Sequence, residues 1–295
     1  MSMVSSSILI QYCNPQMPAN ESQTLSVEAI KEQAQPLQRR LYLLYHELRS
    51  GGSKYSYVLE TGEFEKHLDL FVRLRKKTDD LWPEVTFDDG HISNFEYALP
   101  LLQARNLQAL FFITVGWTGQ KPGYMGWNEL RSLHAAGQGI GAHGWTHTLL
   151  THCSDKELQT ELGTARMALE DKLGASITTM SLPGGRYDRR VLAACEQAGY
   201  TQVYTSIPRA EPASPGRMVG RLNVRGDIRP DWIASLLQPD SKTLASMGRQ
   251  HKAKELAKTL LGDRLYEKTW ALLNRKEPDT DDSEVTTNED SARHQ

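Results

Sequence analysis

Short apolar runs alternate with amphipathic stretches from about residue 40 to about residue 225. The apolar runs, at 41–45, 84–87, 109–115, 139–142, 178–182, 202–205 and 221–224, have the length and composition of strands. Between them, segments 64–76, 95–105, 127–136 and 188–198 follow the helical period; Phe64, Leu68, Phe71 and Val72 fall largely on one side. Ser154 with Glu157 forms a capping box that opens a further helix, ending near Gly174. This alternation, without repeat or linker, predicts one layered or barrel-like α/β domain over 37–240. Its flanks differ. Residues 1–36 are polar and read as an irregular arm, and 241–276 as a helical extension with an amphipathic stretch from about 256 to 275. Residues 277–295, rich in Asp, Glu, Ser and Thr, cannot bury enough apolar surface to order and read as a disordered acidic tail.

Composition narrows the function classes. With 39% hydrophobic and 24% charged residues, the chain is ordinary for a globular protein. A net charge of −2 provides no field for nucleic acid. No run of about 18 apolar residues offers a transmembrane segment. The three cysteines, Cys13, Cys153 and Cys195, are too scattered for a disulfide framework. The start lacks a basic region and a small-residue cleavage site, so the expected location is cytoplasmic.

The chemistry concentrates at strand ends. Thr86-Phe87-Asp88-Asp89-Gly90 closes an apolar run with two adjacent carboxylates, which repel unless a cation or strong donors take up the charge. Glycine directly after them suits a sharp exit from the strand. His143 and His147 follow the run 139–142, four residues apart, a spacing with which two imidazoles can grip one divalent ion. An aspartate and two histidines leave coordination positions open, as catalysis requires.

These motifs, with Pro183-Gly184-Gly185 and the connecting Leu110-Phe111-Phe112 and Met125-Gly126-Trp127, resemble the polysaccharide deacetylase family, the NodB-homology domain of carbohydrate esterase family four. The resemblance covers about residues 40 to 225. It implies an α/β fold of the distorted (β/α) barrel type. It also implies a metal-dependent N-deacetylase acting on an N-acetylated sugar of a polysaccharide or glycan precursor, such as a bacterial surface polysaccharide. On this resemblance Asp89, His143 and His147 hold the metal, Zn²⁺ first, with Co²⁺, Ni²⁺ or Mn²⁺ admitted. Asp88 is the general base, and the Gly184 N–H serves the oxyanion, with Pro183, Gly185, Arg186 and Trp145 around the substrate. Trp117, Tyr124 and Tyr187 are candidates to stack on a sugar ring. Two departures stand out. Ser181 replaces an arginine that many relatives carry, for which Arg186 is the nearest substitute, and the late Leu-x-His motif of the general acid is missing. His46, in Leu43-Leu44-Tyr45-His46-Glu47-Leu48, resembles instead the opening motif of the circularly permuted branch that includes poly-N-acetylglucosamine deacetylases, and is the expected general acid. Two rivals stay open: hydrolysis of another C–N or acyl ester bond, and a non-catalytic carbohydrate-binding relative.

Overall fold

The apolar run at 41–45 becomes strand β1 (Arg39–Tyr45), whose pairing organises everything around it. A computed structural model describes residues 39–51, 53, 55–75, 81–238 and 241–261. The arm at 1–36 and the tail at 277–295 lie outside the described residues. β1 pairs in parallel with β4 (Leu81–Phe87) on one side and with β11 (Arg221–Asn223) on the other. Beyond β4 the sheet continues, all in parallel, through β5 (Ala109–Ile113), β6 (Gly139–Ala142), β7 (Thr179–Ser181), β8 (Gln202–Tyr204) and β10 (Met218–Val219). The short β9 (Glu211–Pro212) pairs antiparallel with the start of β1. The two edges, β10 and β11, are joined in the chain by Gly220 alone, so the sheet curls into a nearly closed barrel. A Cβ on Gly220 would lie 2.5 Å from the Ile207 carbonyl, which explains the glycine at the seam.

Side-chain alternation divides the core in two. Leu41, Leu43 and Tyr45 of β1 and Val85 and Phe87 of β4 join Phe111 and Ile113 in the larger apolar cluster, packed under the helices. Tyr42, Phe112, Tyr204 and Val219 form a second, smaller cluster on the opposite face of the sheet. Gly141 makes room there, because a Cβ would come within 2.6 Å of the Phe112 ring.

The helices follow the amphipathic stretches: Thr61–Arg75, Trp127–Ala135 and Arg189–Gln197. The stretch at 95–105 begins as a π-helical turn, Asn94–Ala98, before Leu99–Gln103. The helix capped by Ser154 runs through Asp155–Leu158, a π-helical Gln159–Thr164 and Ala165–Leu173, and stops at Gly174 in the left-handed conformation. The C-terminal helix starts earlier than the periodicity suggests, as Lys242–Leu261, and the remainder of 256–275 lies outside the described residues. A small parallel sheet of β2 (Glu47–Arg49) and β3 (Val58–Glu60) and a helix Pro230–Leu236 are additional elements. No helix among the described residues is long and apolar enough to cross a membrane.

Register gathers the strand ends. Tyr45 lies opposite Phe87, Phe87 opposite Phe111, Ile113 opposite Ala142, and Ser181 opposite Tyr204. The residues that follow those positions therefore meet on the carboxyl rim, where α/β folds build their sites.

Candidate active site

Asp88 is the first residue beyond β4, and its N–H donates to Tyr45 O at 3.0 Å, so it stands beside His46 at the end of β1. Its carboxylate is 3% exposed, and the guanidinium of Arg221, at 0% exposure, meets it in a bidentate pair: Nη1 to Oδ1 at 2.7 Å and Nη2 to Oδ2 at 2.8 Å. Ser181 Oγ donates to Oδ2 at 2.9 Å and accepts from Arg221 Nη2 at 2.7 Å. Thr86 Oγ1 accepts from Arg221 Nη1 at 3.3 Å, and Thr205 O from Nε at 3.2 Å. The rings of Phe112 and Tyr204 lie 5.2 and 5.8 Å from the guanidinium carbon. Burial pushes the Asp88 pKa up, but the charges of Arg221 and His143 and the Arg221 hydrogen bonds outweigh it, holding the carboxyl far below the usual range.

Asp88 thus stays ionised. A carboxylate offers roughly four acceptor positions. Arg221 and Ser181 occupy both on Oδ2 and one on Oδ1, leaving one Oδ1 lone pair.

Asp89 turns the other way. It sits in the left-handed region at φ 73°, followed by Gly90 at φ 85°, and this double turn swings its carboxylate toward the histidines. His147 is also left-handed, at φ 67°. Such a conformation costs a non-glycine residue about 1–3 kcal/mol and persists only where the surroundings hold it. Here Asp89 Oδ1 lies 3.4 Å from His143 Nε2 and 3.3 Å from His147 Nε2.

Several observations fit this trio to a cation. Asp89 Oδ1 is buried without a hydrogen-bond partner. His143 Nδ1 lies 2.8 Å from Ser181 O, which can only accept, so Nδ1 carries the proton and Nε2 turns its lone pair toward Asp89 in the neutral ring. Among the described residues, Asp89, His143 and His147 are the one group of three whose ligand atoms converge, within 4.8 Å of one another. Burial lowers the His143 pKa, but the carboxylates of Asp88 and Asp89 more than restore it; the same buried corner calls for a proton or a metal ion. For His147 burial and the neighbouring His143 lower the pKa.

The loop carrying both histidines is held from below. Glu161, in the π-helical segment and 5% exposed, accepts from Trp145 N at 2.8 Å, Thr146 N at 3.0 Å and Thr146 Oγ1 at 2.6 Å. Gly116 N donates to Trp145 O at 2.8 Å, and His143 N to Ile113 O at 2.8 Å.

A cleft of ≈ 450 Å³ opens above these groups. Asp88, Asp89, His46, His143 and His147 line it, and so do Gly184 and Gly185. His46 Nδ1 is buried without a partner, its ring 5.0 Å from Tyr57. Burial lowers its pKa, against the pull of Asp88 and Asp89. Tyr55, Tyr57, Tyr124 and His91 complete the walls.

Other expected residues stand elsewhere. Arg186 does not line this cleft, and the cation beside Asp88 is Arg221 from β11, the position that sequence reading missed. Trp145 packs against the core and over Gly116, whose Cβ would meet its indole at 3.1 Å. Pro183 is buried beside Gly144 of the histidine loop. Trp117 meets Tyr124 edge to face at 4.7 Å and lies tilted against His147 at 5.2 Å, while Tyr187 lines a different cavity.

A curled, mostly parallel sheet with paired acids and histidines on its carboxyl rim defines the class: a barrel-type α/β protein with a candidate metal site at its mouth. Residues 76–203 match the family model described as Polysaccharide deacetylase, so this stretch of the chain carries the sequence pattern of that family. The chain is 25% identical over 190 residues to YxkH of Bacillus subtilis (strain 168), a protein with a provisional polysaccharide deacetylase name, covering 59% of this chain and 67% of that one. It is 32% identical over 124 residues to the peptidoglycan-N-acetylglucosamine deacetylase PgdA of Listeria monocytogenes, covering 42% of this chain and 25% of PgdA. The match therefore spans about a quarter of PgdA's length. In fold it is similar to the Streptococcus pyogenes deacetylase PplD solved with acetate, at a TM-score of 0.61 and 17% identity, covering 68% of this chain and 99% of that one.

Proposed function

We propose that the chain is a metal-dependent N-deacetylase that removes acetyl groups from an N-acetylated sugar of a glycan or glycan precursor. The observation that carries this reading is the pairing, in one cleft, of a carboxylate that is ionised at rest and has one lone pair to spare with a convergent Asp-His-His trio. The names of PgdA and PplD support the reaction, and that of PgdA an N-acetylated sugar.

Asp89, His143 and His147 would hold the divalent ion, Zn²⁺ by the chemistry of its donors. Bound there, it would supply Lewis acidity toward the acyl oxygen and the attacking water. Asp88 accepts the water's proton on its remaining Oδ1 lone pair, while Arg221 and Ser181 fix the carboxylate plane. Gly184, which lines the cleft in a left-handed turn where a Cβ would meet Leu149, would offer its N–H to the developing oxyanion. His46 donates a proton to the departing nitrogen; the burial that lowers its pKa makes its protonated form a stronger donor.

The test is acetate release by metal-stripped and Zn²⁺-reloaded protein from N-acetylhexosamine oligomers, with an activated acetyl ester in parallel. Metal-dependent release from the saccharide is expected, reduced about 10²–10⁴-fold in Asp88→Asn at unchanged zinc content. Release from the ester alone moves the activity to O-acetyl or other acyl substrates. Zinc binding without release from either substrate overturns the reading.

A further inference from the structure

His46 stands where its strand has ended: β1 stops at Tyr45, and the short β2 begins at Glu47. Its Nδ1 has no hydrogen-bond partner to fix the ring, so its placement depends on the backbone that carries it. That backbone is gripped on both flanks. Before it, Asp88 N donates to Tyr45 O at 3.0 Å. At and after it, Asn94 Nδ2 donates to His46 O at 2.7 Å, and Ser93 Oγ accepts from Leu48 N at 3.0 Å. Asn94 is 0% exposed and Ser93 2%.

Both side chains come from the turn that directly follows Asp88 and Asp89, and that turn is itself stiff. Ser93 N donates to His91 Nδ1 at 3.2 Å, and Ser93 Oγ lies 2.8 Å from the same nitrogen. Nδ1 accepts, so the Ser93 hydroxyl turns its proton to the imidazole and a lone pair to Leu48 N. Ile92 N donates to Gly123 O at 2.8 Å and Met125 N to Gly90 O at 3.0 Å, which ties the turn to segment 123–125. One rigid turn thus carries the two acids at its start and a clamp on His46 at its end.

Energetics point the same way. Asn94 Oδ1 is buried with no partner among the described residues. The His46 carbonyl can only accept, so the amide NH2 faces it and the orphaned oxygen cannot trade places. A buried, unpaired acceptor costs at least as much as one neutral hydrogen bond returns. Asn94 therefore adds little to folding; what it secures is position. We infer that Asn94, with Ser93, is a positioning residue for the general acid, holding His46 where its proton reaches the leaving nitrogen while Asp88 serves the water. The inference rests on the deacetylase reading and adds residues to its acid half. As the C–N bond of the tetrahedral adduct breaks, His46 passes its proton to that nitrogen, and the amine departs neutral.

An activated ester separates this role from a structural one, because para-nitrophenolate departs without a proton. Asn94→Leu keeps the branched shape and exchanges one unpaired acceptor, Asn94 Oδ1, for another, His46 O. Thermal unfolding and zinc affinity should therefore change little. With zinc loaded, kcat on N-acetylhexosamine oligomers should fall about tenfold to a hundredfold, with KM within about threefold, while para-nitrophenyl acetate turnover falls no more than about twofold. In a His46→Gln background the same substitution should have no further effect on amide turnover, because residues that act as a unit are not additive. Ser93→Ala removes the other strut and should show the same split in smaller measure, which carries the test should Asn94→Leu not fold. Equal losses on both substrates, or an undiminished loss in the His46→Gln background, overturns the clamp and leaves the deacetylase standing. Wild-type protein that releases acetate from no saccharide overturns the deacetylase reading, and the clamp with it.

Discussion

Arg221 and Asp88 form a buried, bidentate ion pair, and such pairs are costly to break from one side. Arg221→Met should lower stability by about 3–5 kcal/mol, because Asp88 is left buried with Ser181 as its one neutral donor. Adding Asp88→Asn should restore part of that loss, and urea unfolding of the two single variants and the double variant measures the coupling. His67 gives the pH dependence. It is fully buried in helix Thr61–Arg75, with Nδ1 3.2 Å from the Tyr45 hydroxyl. Burial lowers its pKa to about 4, against a smaller upward pull from the Ile228 carbonyl and Glu63. The unfolded chain, with an ordinary imidazole near 6.5, binds this proton first. Stability is therefore complete above about pH 6.5 and falls as the pH drops toward 4, by at most about 3 kcal/mol from this residue. His67→Gln, which can still meet the Tyr45 hydroxyl, should lack that component when unfolding is compared at pH 7.5 and 4.5.

At the scale of elements, the π-helical segment Gln159–Thr164 carries the argument. The widened turn contains Glu161, buried against the backbone of the loop between the two histidines. Glu161→Gln keeps one acceptor but loses the charge that binds two N–H groups and a hydroxyl. We expect zinc affinity to fall by about 10–100-fold, as for outer partners of metal ligands, with the thermal unfolding of the metal-free protein changed little by comparison. Competition with a chromophoric chelator reads the first quantity and calorimetry the second. The local signals for these elements were mostly in the sequence. The seven apolar runs each overlap a strand, and the capping box opens the helix that it announces. β2 and β3 have three residues each, too short for any period to emerge. Glu161 is one acid among many on an amphipathic helix, and nothing local marks it as buried.

For the whole molecule, βα alternation made a layered or barrel-like domain legible and the family resemblance singled out the barrel, while the convergence of Asp88, Asp89, His143 and His147 was legible through strand ends. The partner of Asp88 was not. Arg221 opens an apolar strand, and a charged residue there is buried when paired; but its partner lies 133 positions away, and pairing across that separation is set by sheet closure. Ser181, met as a departure from the family pattern, sits directly between the two.

That separation has a consequence for how the protein is made. Synthesis runs from the amino end, so β1, β4 and Asp88 leave the ribosome well before Arg221. Until then the carboxylate destined for the interior lacks its countercharge, and β1 lacks its β11 neighbour. A chain arrested on the ribosome with 220 residues emerged should therefore be cut readily by protease, and one with 238 emerged should resist. The residue that fixes the Asp88 carboxylate would then also act as the latch that commits the nascent chain to its barrel.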